Sequence, residues 1–314
     1  MDIESESTHP QSLAGRIRTL SQPLEPVPTD VEPRPQPMPG VRAVLFDVYG
    51  TLFISAVGDI DGGQGGDGSQ ALLAALRSVG AKGELKEAAR IGAKLLPRFI
   101  REEHTQKRSE GTAYPEVDIR EIWRAVLDEL RQRQLLEPQV TDEIVARLAV
   151  EYECRVNPVW PMPGLKETLG ALWQHAFLLG IVSNAQFFTP LLFNAFLGEG
   201  LRPLGFQPEL CTWSWELLEA KPSTALVERS LKRLSKYYGV SPDQVLYVGN
   251  DMLNDVLPAR QLGCRTALFA GDKRSLRPRE DDDRCANLRP TAVITHLAQL
   301  ADVLPVPPPN RCSN

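Results

Sequence analysis

The hydrophobic and polar positions along this chain fall into three successive patterns. The first apolar run, Val41-Arg42-Ala43-Val44-Leu45-Phe46, predicts a buried parallel strand. From about 70 to 155 the period is helical. Ile119, Ile122, Trp123, Val126, Leu127 and Leu130 recur at three- and four-residue steps, and Ile144, Val145 and Leu148 start another stripe. No strand-like run interrupts this region, so it predicts an all-helical insert. From about 160 the pattern alternates. Phe177 to Val182, Val245 to Val248 and Thr266 to Ala270 predict strands, Glu209 to Trp213 a fainter one, and Ala292 to Ile294 a short edge. Helices are predicted between them, around 164–175, 186–197, 222–238 and 254–262. Such alternation implies a parallel sheet covered on both faces. One α/β core, interrupted by one helical insert, is the expected architecture.

Two stretches stand outside this scheme. Residues 1–40 hold eight of the chain's 26 prolines. Their composition predicts a disordered Pro-rich tail, because so little apolar surface cannot offset the entropy of ordering. The segment from 305 to 314 reads the same way. A glycine-rich stretch from Gly58 to Gly68 lacks the Gly-Lys-Ser/Thr ending of a phosphate-binding loop and reads as a flexible connector.

Composition narrows the classes. The chain has 314 residues, 42% hydrophobic and 24% charged, which supports a sizeable core. A net charge of -5 with no basic stripe argues against nucleic-acid binding. The five cysteines form no Cys-x-x-Cys pair, so neither a disulfide framework nor a zinc site is expected, and free thiols fit a reducing, cytoplasmic setting. No signal peptide is expected at the N-terminus, and no apolar run is long enough to span a membrane. The expected partner is a small-molecule substrate, with no nucleic acid and no membrane. A partner for the Pro-rich tail is unknown.

Chemistry is expected where the strands end, because ligands of open parallel sheets bind beyond the strands' carboxyl ends. Asp47-Val48-Tyr49-Gly50-Thr51 follows the first strand. Ser183-Asn184 follows the second, and Gly249-Asn250-Asp251, then Asn254-Asp255, follows the strand at 245–248. Lys221 precedes Pro222 at a helix start. Three carboxylates brought together repel one another unless a cation sits among them. Oxygen ligands suit Mg²⁺, which typically keeps several waters. Donors beside a cation make a site for an anion such as phosphate, which a carboxylate held in line can attack. Each residue alone has a plainer reading as a cap, turn or exposed side chain. Their order, each after a predicted strand, points to one site.

These motifs resemble those of the haloacid dehalogenase superfamily. Phe46-Asp47-Val48-Tyr49-Gly50-Thr51-Leu52 is similar to its first motif, Ser183-Asn184 to the second, Lys221-Pro222 to the third, and Gly249-Asn250-Asp251 with Asp255 to the fourth. The resemblance covers about 41 to 300. It implies a Rossmann-like core over 41–55 and 156–304 with an α-helical cap over 56–155. It also implies that Asp47 is the nucleophile, that the Tyr49 carbonyl binds metal, and that Thr51 and Ser183 bind the transferred group. Lys221 would neutralise charge, and Asp251 and Asp255 would hold Mg²⁺, with Asn250 an alternative ligand in the other register. Asn184 and the Tyr49 side chain join the substrate-binding set.

Two departures from the family pattern pull in opposite directions. Tyr49 stands where family phosphatases usually have a second Asp, a form similar to that of the metal-free 2-haloacid dehalogenases. Asp251 and Asp255, however, are retained. The combination suggests a Mg²⁺-using hydrolase of a small phosphate ester, acting through an aspartyl intermediate. A 2-haloacid dehalogenase and a non-catalytic binding protein on the same fold are the alternatives. In the cap, Arg98, Arg101, His104, Lys107 and Arg108 form a basic cluster, which reads first as a solvated face and, in the sharper reading, brings Arg101, His104 or Arg108 to the substrate. Tyr114 to Asp118 reads as a turn leading into an acid-capped helix, and the polar segment 271–284 as a solvated loop.

Overall fold

The computed structural model describes residues 12–57, 68–137 and 140–305. The Gly-rich stretch 58–67 and the terminal segments 1–11 and 306–314 lie outside the described residues. Along the chain run α1 (Leu13–Leu20), β1 (Ala43–Phe46) and β2 (Phe53–Ser55). Four helices follow: α2 (Gly68–Ser78), α3 (Leu85–Ser109), α4 (Ile119–Gln132) and α5 (Asp142–Val156). Then come β3 (Val159–Pro161), α6 (Leu165–Gln174), β4 (Leu178–Ser183), α7 (Leu191–Leu197), β5 (Thr212–Trp213), α8 (Ser214–Leu217) and α9 (Ala225–Tyr238). The chain continues through β6 (Val245–Gly249), α10 (Leu257–Gln261), β7 (Arg265–Phe269) and β8 (Ala292–Ile294).

Six strands form one parallel sheet in the order β5-β4-β1-β6-β7-β8. Its central strands are continuous apolar runs, as burial on both faces requires. Because β1 lies between β4 and β6, the strand order reverses at β1. The loops after these three strands therefore face one crevice. The architecture is the expected α/β sheet with surrounding helices. Among the described residues, the regular elements of the insert between β2 and β3 are all helices, and β2 and β3 themselves pair antiparallel, Ile54 opposite Trp160. This short ribbon is a feature the periodicity did not announce.

Two expectations differ from the structure. Over 12–40 the chain is not a loose tail. Ser12 caps α1, accepting from Gly15 N at 3.0 Å, and Ala14 and Ile17 are fully buried between α5 and α7. Arg16 Nε reaches the buried Glu151 at 2.6 Å, and the Arg18 guanidinium lies 4.9 Å above the Trp160 ring. The extended remainder is tied down by backbone bonds, Arg34 with Val293 and Met38 with Val303. An extended segment rich in proline needs few donors of its own, so a few such bonds suffice to seat it. The helix expected at 186–197 begins only at Leu191, since Pro190 disfavours helical geometry in the residue before it.

Candidate active site

Asp47, Ser183 and Asn250 are each placed by a strand end. Asp47 directly follows β1 and extends its pairing, donating its N–H to Val248 O at 2.9 Å. The turn after it needs Gly50, whose φ is +82°; a Cβ there would sit 2.5 Å from Ser275 Cβ and 2.7 Å from Asn250 Nδ2. Ser183 is the last residue of β4 and Gly249 the last of β6. Gly249 is also obligatory, because a Cβ would meet the Asp255 carboxyl at 2.3 Å.

Asp47 is buried, and both side-chain hydrogen bonds to it land on one oxygen. Ser183 Oγ donates to Asp47 Oδ1 at 3.0 Å and Lys221 Nζ at 2.7 Å. Asp47 Oδ2 has no donor among the described residues, and Asp47 lines a cavity of about 460 Å³. Lys221 also donates to Asp255 Oδ1 at 2.5 Å and lies 3.3 Å from both Val182 O and the Tyr247 hydroxyl. Burial alone would lower the Lys221 pKa. The Asp255 and Asp47 carboxylates outweigh it and hold the ammonium well above the usual lysine value. Burial pushes Asp255 up to about 7, against the pull of Lys221. Asn184 sets the lysine from the main chain, accepting Lys221 N at 2.7 Å and donating to Lys221 O at 3.2 Å.

Asp251 is occupied differently. Its Oδ1 accepts from Leu253 N at 2.8 Å and Asn254 N at 3.2 Å, capping the following turn. Arg279 grips both carboxylate oxygens, with Nε at 3.1 and 3.2 Å and a terminal nitrogen at 2.5 Å from Oδ2. The three carboxylates on the cavity floor are thus met by two cations supplied by the chain itself. As arranged, no group of three or more His, Cys, Asp or Glu side chains among the described residues is set to hold a metal ion. Among the described residues, the oxygens left to a cation include Asp47 Oδ2 and Asn250 Oδ1, the latter accepting from Thr51 at 3.1 Å.

Most sequence-predicted site residues meet here. Asp47, Tyr49, Asn184, Lys221, Asn250, Asp251 and Asp255 line the cavity, and His104 and Arg108 enter from α3. Ser183 acts from behind, on Asp47. Thr51 is fully buried and gives its hydroxyl to Asn250 instead of lining the cavity. Arg101 does not line it; it shares a face of α3 with His104 and Arg108 but lies about two turns before Arg108, roughly 10 Å along the helix axis, and is exposed.

Tyr49 is chemically quiet. Its hydroxyl shares a 3.0 Å hydrogen bond with Thr189, and burial, then the Glu153 charge, push the phenol far above its ordinary range. Sequence reasoning missed Tyr247, Arg279, Arg277 and Gln186. The segment expected to be a solvated loop supplies Arg277 to the cavity and Arg279 to Asp251, and its Asp272 is buried against Arg274. A polar loop's composition does not distinguish solvated charges from charges folded back on a site.

No curated protein sequence matches this chain. Among solved structures, a 2-haloacid dehalogenase from Pseudomonas syringae pv. Tomato DC3000 shares 21% identity at a TM-score of 0.50, covering 83% of this chain and 97% of its own. A HAD phosphatase from Thermococcus onnurineus shares 18% identity at 0.45 over 83% and 96%. A HAD-hydrolase from Bacillus subtilis bound to magnesium shares 18% at 0.44 over 85% and 99%. At such identities the likeness is one of fold. The family model for haloacid dehalogenase-like hydrolases matches residues 41–263, from the strand that delivers Asp47 past the loop that carries Asp255. With that span matched and the parallel sheet in place, the chain belongs to the haloacid dehalogenase-like hydrolase family.

Proposed function

We propose that this protein hydrolyses a small phosphate ester, with Asp47 as covalent nucleophile. The observation that carries this is the asymmetry of the Asp47 carboxylate. Oδ1 is fixed by Lys221 and Ser183, while Oδ2 is left to a cavity of substrate size. In the first step Oδ2 attacks phosphorus and the ester oxygen departs. In the second, water attacks the aspartyl phosphate, releasing inorganic phosphate and restoring the carboxylate. Lys221 holds the Asp47 carboxylate oriented and offsets charge on it throughout. Ser183 fixes the rotation of the carboxylate, and Asn184 fixes Lys221. Tyr49 neither gives nor takes the leaving group's proton, because its phenol is buried, bonded to Thr189 and pushed far from neutral range. The departing oxygen takes its proton from water, which favours substrates with acidic leaving groups.

Mg²⁺ fits the donor set in part: the Asn250 amide oxygen and the Tyr49 carbonyl are at hand, and Asp251 would join on releasing Arg279, with waters completing the shell. Bound there, the cation would neutralise charge on the transferred group. The retained pair Asp251 and Asp255 supports this reading.

One observation favours a second reading, metal-free displacement of halide from a 2-haloacid. Lys221 and Arg279 already neutralise the floor, so its carboxylates do not demand a metal. The deciding experiment measures phosphate release from p-nitrophenyl phosphate with Mg²⁺ and with EDTA, alongside chloride release from 2-chloropropionate. Metal-dependent phosphate release supports the first reading. Chloride release unaffected by EDTA replaces it with the second.

A further inference from the structure

A separate set of contacts lies where the helical insert meets the strand-end loops, and the holding of Asp47 does not account for it. The segment 114–119, which leads from α3 into α4, is fastened at two places. Ala220 N donates to Tyr114 O at 2.8 Å and Glu116 N to Leu218 O at 3.0 Å, so the chain just before Lys221 is bonded to the insert. On the other side stands Gln186, two residues beyond Asn184 and buried. Its amide is satisfied at both ends by insert backbone: Oε1 accepts Ile119 N at 2.9 Å and Nε2 donates to Val117 O at 2.9 Å. A side chain bearing one acceptor and one donor at that reach is what this pair of backbone groups requires. Arg120 reinforces the junction, its guanidinium 5.0 Å from the Phe187 ring and 4.8 Å from Trp215.

From Gln186 the bonding continues inward. Gln186 N donates to Thr189 Oγ1 at 3.2 Å, and the fully buried Thr189 shares its 3.0 Å bond with the Tyr49 hydroxyl. Tyr49 lies two residues past Asp47. The insert backbone, Gln186, Thr189, Tyr49 and the nucleophile loop thus form one continuous hydrogen-bonded run. Gln186, Thr189 and Val117 are buried and Tyr49 is half-buried, so bonds left unmade along the run are costly. The bond to Thr189 gives a role to a phenol that stands where it can do no proton transfer.

We propose that Gln186 is a positioning residue that transmits docking of the helical insert to the Asp47 loop, through Thr189 and the Tyr49 phenol. Its effect on turnover rests on the hydrolase reading above; the mechanical coupling does not. When the insert docks, both ends of the Gln186 amide are taken up and the 186–189 turn is held. Thr189 then fixes Tyr49, and Tyr49 fixes the loop presenting Asp47. Catalysis is thereby tied to closure over the substrate.

The test uses the full chain and the variants Gln186→Met, Tyr49→Phe and their combination, read by hydrogen–deuterium exchange and by p-nitrophenyl phosphate kinetics. Gln186→Met keeps volume and removes the amide. Exchange is expected to rise at 117–119 and also in the nucleophile loop at 48–52, whose amides are bonded locally to Val48 O and Phe53 O and touch neither substituted atom. Each single variant lowers kcat about tenfold, within the range for residues along a coupled network, with KM within about twofold. The double variant is no slower than the slower single one, because both cut the same run. Exchange changes confined to 117–119, or rate losses that multiply, overturn the proposal. If the unsubstituted chain turns over neither a phosphate ester nor a haloacid, the hydrolase reading fails. Exchange at 48–52 then still decides the coupling.

Discussion

Replacing Lys221 by Met tests whether this lysine is the electrostatic centre of the site. Lys221 Nζ lies 2.7 Å from Asp47 Oδ1 and 2.5 Å from Asp255 Oδ1, and the three side chains are at most 9% exposed. At such separations each contact contributes on the order of 5 kcal/mol of attraction at an effective dielectric of about 20. Desolvation consumes most of this in the intact protein. Removing the cation alone restores none of it and leaves two buried carboxylates facing each other, a change that costs about 3–5 kcal/mol. Lys221→Met should therefore lower the melting temperature by roughly 5–10 °C at pH 8. Asp255→Asn, added to Lys221→Met, removes one of the stranded charges while keeping an acceptor for Asp251 N, which Asp255 now receives at 2.9 Å. The double variant should regain about 2 kcal/mol relative to Lys221→Met, a coupling well above additivity error. Urea unfolding at pH 8 measures all four species, with constant m-values as the condition for comparison. A Lys221→Met protein within about 1 kcal/mol of the unsubstituted one, or additive losses in the cycle, would refute the reasoning.

Further outcomes follow from other parts of the molecule. Asp47→Asn should abolish turnover with an unchanged fold, and rapid quenching of the unsubstituted protein should trap label on Asp47; wild-type rates in the variant would end the covalent scheme. Because the proposed scheme gives the leaving oxygen its proton from water, kcat across aryl phosphates should rise steeply with leaving-group acidity, and a flat series would mean a side chain acts as the acid. Burial pushes Glu153 up to about 7. A raised carboxyl binds its proton more tightly when folded, so its contribution is full below about pH 4.5 and is lost as pH rises towards 7, by up to about 3 kcal/mol. Glu153→Gln should therefore be more stable than the parent at pH 8 and no more stable at pH 5, as thermal melts at both pH values would show. Ile17→Ala, at a position 1% exposed, should cost about 2–4 kcal/mol; a loss under about 0.5 kcal/mol would mean that α1 does not dock.

The sheet was legible because its strands are buried on both faces. An apolar run such as Ala43 to Phe46 or Val245 to Val248 admits few other readings once helical stripes alternate with it. The helical insert was equally plain, since α4 carries its apolar residues on one stripe. The ribbon of β2 and β3 was not, being three residues per strand and stabilised by its partner, not by any pattern of its own. The N-terminal segment was misjudged for a different reason. Averaging over 1–40 let eight prolines outweigh Ser12 and the Leu13, Ala14, Ile17 stripe, which on its own carries the signal of a capped amphipathic turn. Composition describes a window, whereas docking is decided by a few residues within it.

The candidate site shows the same division. Residues fixed to strand ends were found by position, because the sheet topology dictates where they must meet. Those that join the site through tertiary contact were invisible: Tyr247 looks like any core strand residue, and Arg279 sits among charges that mostly face water. This matters for the chemistry. Three carboxylates on one floor call for a cation only while they are unneutralised, and Lys221 and Arg279 change that balance. Two of the three are engaged by Lys221, and the third by Arg279 from a loop that no spacing rule connects to it. Under the proposed phosphatase reading, a cation would have to displace Arg279 from Asp251, so the number of acidic residues alone does not decide between the two activities. That competition is set by the bidentate geometry of the Arg279 contact, which a lysine at the same position would not reproduce.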